Sequence, residues 1–434
     1  MGGQNGTGAA GTGAEAGNAG SPNLGGDPNT CDAECMTPPA DAGSIHPSIS
    51  GDGKVVAFQS GVKVKRINLS QVELVGTYDI FVRDVETGAT RRASLTEGGG
   101  QGNSHSENPS ISGDGRFVAF TSKASNLVAG DTNGVVDVFV RDLEKNTTAR
   151  VSVNDDGIQA DMDSASPSIS ANGRYVAFSS LATNLVTDDT NGDEISSEGE
   201  DVFVHDLALH VTRRVSVSSS GAQADGLSRH PSLSADGLFV AFESYATNLV
   251  EDDDNGVTDV FVRGLESEST QRVSVSDGEV EANSDSLQPS ISSDGGFVAF
   301  YSGDVNLASG EPDSAGGVFV RDLGSESTRK VSVSYDGTAV SFPALYPSIS
   351  GDGRFVVFGS RAENLTTGDT NEQVDFFVRD RSDVSSTQRL IASEADEGTS
   401  EGCISSDGSA VALVTNAPTG VVEVVVVPGP APAQ

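Results

Sequence analysis

The sequence predicts an all-β protein: one β-propeller of seven blades, each of four antiparallel strands, with a three-stranded last blade. Three observations predict it. The block "HPSISGDGKVVAF" at His46 returns as "NPSISGDGRFVAF", "SPSISANGRYVAF", "HPSLSADGLFVAF", "QPSISSDGGFVAF" and "YPSISGDGRFVVF", and a worn copy, "GCISSDGSAVAL", begins at Gly402. The motif prolines fall at 47, 109, 167, 231, 289 and 347, and aligning Asp352 with Asp407 adds a last step of 55 residues. Finally, the second and third strand segments are apolar on both faces, the pattern of a sheet sandwiched between neighbours. Such sheets, of near-constant length, stack radially into a propeller. A β-helix would need far shorter repeats, and an open solenoid would need polar capping units. A six-bladed ring with a stray unit is the alternative.

Residues 1–43 precede the repeats and are rich in Gly, Ala, Asn and Thr without any hydrophobic period. They cannot bury enough apolar surface to offset chain entropy, so they read as a flexible tether. They show no basic and apolar regions of a signal peptide. Their composition resembles the linker that follows the lipid-attachment site of bacterial surface lipoproteins. The propeller then spans 44–428, and 429–434 form a flexible tail.

Within a unit, "PSIS" is the first strand and an Asp-Gly pair such as Asp114-Gly115 turns the chain, a dipeptide that tolerates the positive φ of a two-residue hairpin. "RFVAFTS" is the second strand, "DVFVRDL" the third and "TARVSV" the fourth. The seventh unit ends in "VVEVVVV" with no fourth strand. Arg83, Arg141, Arg321 and Arg379 share one place in "FVRD", each beside an Asp, and pairing with blade-edge carboxylates is the expected role.

These "PSISGDGRFVAF" and "DVFVRDLEKNTTARVSV" blocks resemble TolB-like propeller repeats, the WD40-like type with a Pro and Asp-Gly signature. The resemblance covers roughly residues 44–428. It implies an extracytoplasmic scaffold (periplasmic, secreted or at the cell surface) that binds other proteins.

Between second and third strands the chain carries more residues than a hairpin needs. In the second unit Asp131, Asn133 and Asp137 fall at offsets 0, +2 and +6, with Gly134 for a bend. Calcium takes six to eight hard oxygens, and ligands at alternate positions of a short bent loop supply several. A divalent ion would also relieve the repulsion of adjacent carboxylates. The fourth unit repeats the set as Asp253, Asn255 and Asp259, and the sixth as Asp369, Asn371 and Asp375. The third has Asp189, Asn191, Asp193 and, after an insertion, Asp201. The fifth loses the last ligand to Gly317; the first and seventh lack the motif. The simpler alternative is a turn in which Asp and Asn bond their own backbone. Calcium at about 100 times its dissociation constant adds about 2.7 kcal/mol per site, so chelation is expected to lower the melting temperature by many degrees.

Where near-identical copies diverge, function is expected. The residue before the motif proline is His46, Asn108, Ser166, His230, Gln288 and Tyr346, with Glu401 in the worn copy. The first strand of a propeller lines its channel, so these seven should ring one mouth as a ligand or partner site. The plain alternative is that any polar residue suffices there.

Enzyme readings stand behind binding. "GTSEG" at Gly398 fits a nucleophile pattern but lies between strands, without the strand-to-helix elbow that motif needs. His46, His230 and Gln288, with His105 nearby, would suit a channel metal of the kind propeller-type polysaccharide lyases use. His205 and His210 read as surface residues. Three cysteines are too few for a disulfide framework; Cys31 and Cys35 lie close enough to pair, and Cys403 reads as a buried thiol.

The formal charge is −37. That repels phosphate backbones and excludes nucleic acid as a partner. No apolar run reaches the ~20 residues of a membrane helix. The reading is a monomeric, calcium-stabilised propeller that binds a protein or glycan on its channel face, with a metal-dependent lyase or hydrolase as the alternative.

Overall fold

The computed structural model describes residues 42–68, 71–75, 77–191, 199–308, 316–383, 387–391, 401–416 and 422–430. Residues 1–41 of the tether, with Cys31 and Cys35, Asp193, residues 398–400 and the last four residues lie outside the described residues. The first strand, Ala42–Ile49, begins two residues before the expected boundary.

Seven antiparallel sheets follow one another along the chain. Blade 2 is Ser106–Ile111, Phe117–Ser122, Asp137–Asp142 and Thr147–Arg150, hydrogen-bonded in that order. Blades 3 to 6 repeat it over 164–214, 228–272, 286–330 and 344–391. Blade 7 has three strands, Gly402–Ile404, Ala410–Asn416 and Val422–Pro428. In blade 1 the second strand, Val55–Asn68, runs past its sheet and pairs with Gln71–Val75, a ribbon standing where other units carry the Asp/Asn loop. The sevenfold ring and the short last blade are those expected; the six-bladed alternative is not.

Each blade interface is a separate dry core. Blade 2 presents Ala119, Val138 and Val140 to Ile169, Val176, Phe178 and Phe203 of blade 3. Ile49, Val56, Phe58 and Phe81 meet Ala410 and Ala412, which closes the ring between blades 1 and 7. Paired phenylalanines such as Phe120 and Phe139, 5.9 Å apart, anchor six of the blades. Full burial of one such ring is worth about 1.5–3 kcal/mol.

The Asp-Gly turn differs from the expected two-residue hairpin. Ser112 N–H reaches Phe117 O at 2.8 Å, so four residues form the loop. Only the glycine, Gly115 at φ 72°, takes the left-handed conformation. Asp114 Oδ1 instead accepts from the Ser112 hydroxyl and, at 3.0 Å, from Arg116 N–H. The glycine also serves packing: a Cβ on Gly173 would stand 2.1 Å from the Phe117 ring of the preceding blade.

Serine makes a second seam around the channel. Ser48 Oγ accepts Ile111 N–H at 3.0 Å, and Ser110, Ser168, Ser232, Ser290 and Ser348 do the same for the blade that follows each. Cys403 holds that serine's place in blade 7. Burial pushes its thiol up to about 12 while Ile49 N–H still bonds it. Its Sγ also donates to Pro47 O at 3.3 Å, so it bridges blades 7 and 1.

Two expectations are corrected here. The "FVRD" arginines do not chiefly pair with carboxylates. Arg141 is buried and donates to Thr96 O of the preceding blade at 3.3 Å and to Thr148 Oγ1 at 3.1 Å. Arg321 likewise reaches Ser276 O at 3.2 Å, adding an ion pair with Glu279. Blade edges are covered by the next blade, so the carbonyls nearby are the available acceptors. His205 is no surface residue: it occupies the same arginine position, 2 % exposed, with Nδ1 2.9 Å from Thr212 Oγ1. Burial lowers its pKa to about 4, so it is neutral at physiological pH.

Candidate functional site

The rim loops bring their predicted residues together. In blade 2 Asn133 Nδ2 donates to Asp137 Oδ2 at 2.9 Å, and Asp131 stands opposite. Between the carboxylates lies a guanidinium: Arg150 Nη1 is 3.3 Å from Asp131 Oδ1 and 3.3 Å from Asp137 Oδ2. Blade 4 repeats this. Arg272 Nη1 sits 3.1 Å from Asp253, 3.6 Å from Asp259 and 2.8 Å from Glu281, while Asn255 binds Asp259 at 2.6 Å. In blade 6 Arg389 bridges Asp369 at 3.4 Å and Asp375 at 2.5 Å, and Asn371 Oδ1 accepts Gln373 N–H at 3.2 Å. Blade 3 uses an amide as well: Gln223 Nε2 faces Asp189, Asn191 and Asp201 together, with Arg214 3.7 Å from Asp201.

Burial acts on these acids against their cations. It raises Asp131, with the Asp137 charge adding and Arg150 opposing. It pushes Asp201 up to about 6, opposed by Ser216 and Arg214. Asp253 is likewise pushed up to about 6 by burial, against the pull of Arg272, with Asp259 and Glu281 adding to the rise. Each of these loops therefore already faces a guanidinium from the fourth strand of its own blade. A calcium ion would enter only by displacing a guanidinium or by joining one that leaves negative charge over. Among the described residues no three His, Cys, Asp or Glu side chains converge in metal-ligand geometry.

The arginines were missed in the sequence. A signal was present in the fourth strand, where Thr-x-Arg recurs as Thr90-Arg91-Arg92, Thr148-Ala149-Arg150, Thr212-Arg213-Arg214 and Thr270-Gln271-Arg272. In blade 5, where the acid has become Gly317, the cation opposite has become Lys330.

The channel mouth is the second candidate. All seven residues expected there, His46, Asn108, Ser166, His230, Gln288, Tyr346 and Glu401, line one cavity of about 490 Å³ between the motif prolines. The first strands of blades 1 to 6 bulge at this point, for example between Glu107 and Ser110. The six residues from His46 to Tyr346 sit at φ 50–57°. That conformation is unusual for non-glycine residues and costs on the order of 1–3 kcal/mol. It turns the side chains into the mouth, and a neighbouring side chain accepts the N–H of His46, Asn108, Gln288 and Tyr346. Glu401 Oε2 accepts His46 N–H at 3.0 Å and lies 3.2 Å from His46 Nδ1. Gln288 Oε1 accepts Tyr346 N–H at 3.0 Å, and Gln59 Oε1 accepts Asn108 N–H at 3.3 Å.

Glu243 completes the mouth beneath the surface. It is 1 % exposed, 2.8 Å from both His230 Nδ1 and Arg229 Nε, and accepts Gln288 N–H at 2.9 Å. Burial alone would raise its pKa; the His230 and Gln288 bonds outweigh it and hold the carboxyl below its ordinary value. Gln59, Thr121, Ser179, Tyr301 and Gly359 occupy Glu243's place in other blades. This second divergent position was also legible in the repeats. His105 does not join the mouth: its Nδ1 accepts Tyr78 N–H at 3.1 Å.

At the opposite end the channel narrows. Backbone bonds run between blades from Ala171 N–H to Ala235 O, Ala235 to Ser293, Ser293 to Gly351, Gly351 to Ser406, and Asp407 N–H to Gly51 O, each 2.8–3.0 Å. Small residues at these positions allow the close approach. The mouth ring therefore opens on one broad side of the disc.

No family model and no curated protein matches the sequence. Solved structures do. An oligogalacturonate lyase in complex with manganese is 12% identical, with 90% of each chain covered and a TM-score of 0.55. An acylaminoacyl peptidase of Pyrococcus horikoshii is 12% identical over 89% of this chain and 51% of that one, TM-score 0.51. TolB from Acinetobacter baumannii is 13% identical over 86% of this chain and 77% of that one, TM-score 0.42. The likeness lies in the β-propeller fold.

Proposed function

We propose that the protein is a binding scaffold whose partner, a protein segment or a glycan, docks in the channel mouth. The observation that supports this is the ring itself. Seven polar or aromatic side chains of six kinds stand at one repeated position inside an otherwise uniform frame, each of the first six held at a strained φ. A channel needing only wetness would be served by one residue type in relaxed backbone. A mixture of donors, acceptors and one exposed phenol suits recognition of an asymmetric polar ligand. A panel of peptides and oligosaccharides, titrated against the parent protein and the Tyr346→Ala variant, tests it. Saturable binding that the variant loses supports the ring; binding unaffected by Tyr346→Ala and by His230→Ala sinks it.

A metal-dependent lyase of acidic polysaccharide is the second reading, favoured by the likeness to the manganese-bound lyase. His46 and His230 are three blades apart and each is held by a carboxylate, Glu401 and Glu243. Turnover of oligogalacturonate with added manganese, read as unsaturated product, separates the two.

Calcium is kept as a proposal for blade 4, where three carboxylates surround one guanidinium. An extracytoplasmic, tethered, monomeric protein fits the acidic composition and the resemblance to TolB-like repeats. Among the described residues no helix is long and apolar enough to cross a membrane. Fractionation of the native host with protease accessibility on intact cells tests the location.

A further inference from the structure

Among the described residues the last blade has an open edge, and the other six blades show what belongs on it. Val422–Pro428 pairs, among the described residues, with Ala410–Asn416 on one side only. Register places Glu423 opposite Thr415 as Asp137 stands opposite Ser122. Glu423 is thus blade 7's copy of the carboxylate that Arg92, Arg150, Arg214, Arg272 and Arg389 meet elsewhere. No cation meets it among the described residues, and it is exposed.

Blade 1 shows the same gap from the other side. In blades 2, 4 and 5 the Thr and Arg at one register position grip two carbonyls of the preceding blade just beyond its fourth strand: Thr148 and Arg141 hold Leu95 O and Thr96 O, and Thr270 and Arg263 hold Val217 O and Ser218 O. Thr90 and Arg83 are the blade 1 equivalents, yet Arg83 is exposed. Both line a cavity of about 510 Å³ together with Glu423, Val424, Val425 and Val426. Those valines are only half-buried, while Val138, Phe139 and Val140, their blade 2 counterparts, are at most 4 % exposed.

We propose that this edge receives an extended basic segment of a partner protein, which pairs antiparallel with Val422–Pro428 as a fourth strand. It would bear Arg or Lys opposite Val425 to meet Glu423, in the Thr-x-Arg pattern of the blades. An edge strand with free N–H and C=O groups is a ready template for such addition. None of the residues outside the described ones is Lys or Arg, so none of them offers the cation that Glu423 lacks. A second copy fits poorly, because two chains of charge −37 repel and the strand VEVVVVP brings no cation to Glu423. The chain's charge of −37 favours a cationic visitor.

The test uses the full chain and a synthetic peptide of residues 145–154, KNTTARVSVN, followed by fluorescence anisotropy. Saturable binding is expected, weakened at least tenfold by Glu423→Arg and regained when that variant meets the peptide with its Arg replaced by Glu. Unchanged melting of Glu423→Arg shows that lost binding is not lost folding. Absence of saturable binding, indifference to both charge changes, or loss through Tyr346→Ala instead of Glu423→Arg overturns the proposal. So does a concentration-dependent dimer that competes with the peptide.

Discussion

Arg92 Nη1 lies 2.7 Å from Asp79 Oδ2 in blade 1, the blade whose second and third strands are joined by a ribbon instead of an Asp/Asn loop. The acid that begins the third strand therefore has its partner without any loop around it. In blades 2, 4 and 6 the loop adds further oxygens to the same ion pair. Both groups in blade 1 are under a tenth exposed, and Ser94 Oγ bonds Asp79 Oδ1 at 2.8 Å. Removing one partner of such a pair leaves an uncompensated buried charge. Arg92→Ala is expected to destabilise the protein by about 3–5 kcal/mol, read by denaturant unfolding. Asp79→Leu with Arg92→Met is expected to recover most of that loss.

The same geometry gives the calcium proposal a smaller expected effect than the loop spacing alone suggests. Among the described residues only blade 4 has three carboxylates around a single cation. Occupancy at about ten times the dissociation constant adds about 1.4 kcal/mol. Millimolar calcium is expected to raise the melting temperature by about one or two degrees, and Glu281→Gln to abolish the rise. A fall of many degrees in chelator would mean that several loops hold the ion despite their arginines.

Acid stability runs in two directions. Asp79, Asp201 and Asp253 are pushed up to about 6, chiefly by burial. The folded state then binds more protons than the unfolded chain between pH ~4 and ~6, so this contribution falls as pH rises through that window. Asp142 and Asp380 are held at about 2, chiefly by hydrogen bonds from Arg116 and Arg354. Their contribution is present above pH ~4 and lost as pH falls towards 2. The melting temperature is expected to peak near pH 4–5, and Asp253→Asn to flatten its decline between 4 and 6.

How much of this was legible follows from period and distance. Strand order, blade number and the seven mouth residues could be read because each recurs at a fixed offset within a unit. The counter-cations are harder to see. Arg150 lies 13 residues beyond Asp137 and 19 beyond Asp131, and only the pairing of third and fourth strands brings them together. Arg141 was misread because its acceptors, backbone carbonyls of another blade, carry no residue signature. Glu243 was overlooked because its strand is apolar by pattern, and a buried acid there makes sense only once His230 and Arg229 face it.

The mouth ring predicts a separation of binding from stability. Glu401 touches His46 across the closure of blades 7 and 1, and their side chains are 29 % and 38 % exposed. Solvent screens such a pair to about 0–1 kcal/mol. Glu401→Ala is expected to leave unfolding within that margin and to weaken ligand binding at the mouth at least tenfold. A large loss of stability would instead make Glu401 a structural clasp.

The glycine of the Asp-Gly turn offers the sharpest contrast. Gly173 is at φ 69° and Gly157 at φ 74°, so a side chain meets similar backbone strain at both. Around Gly157 nothing lies within 4 Å of a built Cβ, whereas at Gly173 three atoms of Phe117 lie at 2.1–2.7 Å. Gly157→Ala is expected to cost about 1 kcal/mol from conformation alone. Gly173→Ala must also push the Phe117 ring off the interface between blades 2 and 3, and overpacking of this kind adds about 1–3 kcal/mol. Phe117→Ala makes room for the methyl group, so the double variant is expected to lose less than the two single losses added together. Thermal or denaturant melts of the four proteins measure that coupling. Equal costs for the two glycines would mean that turn conformation alone, and not contact between blades, keeps the motif.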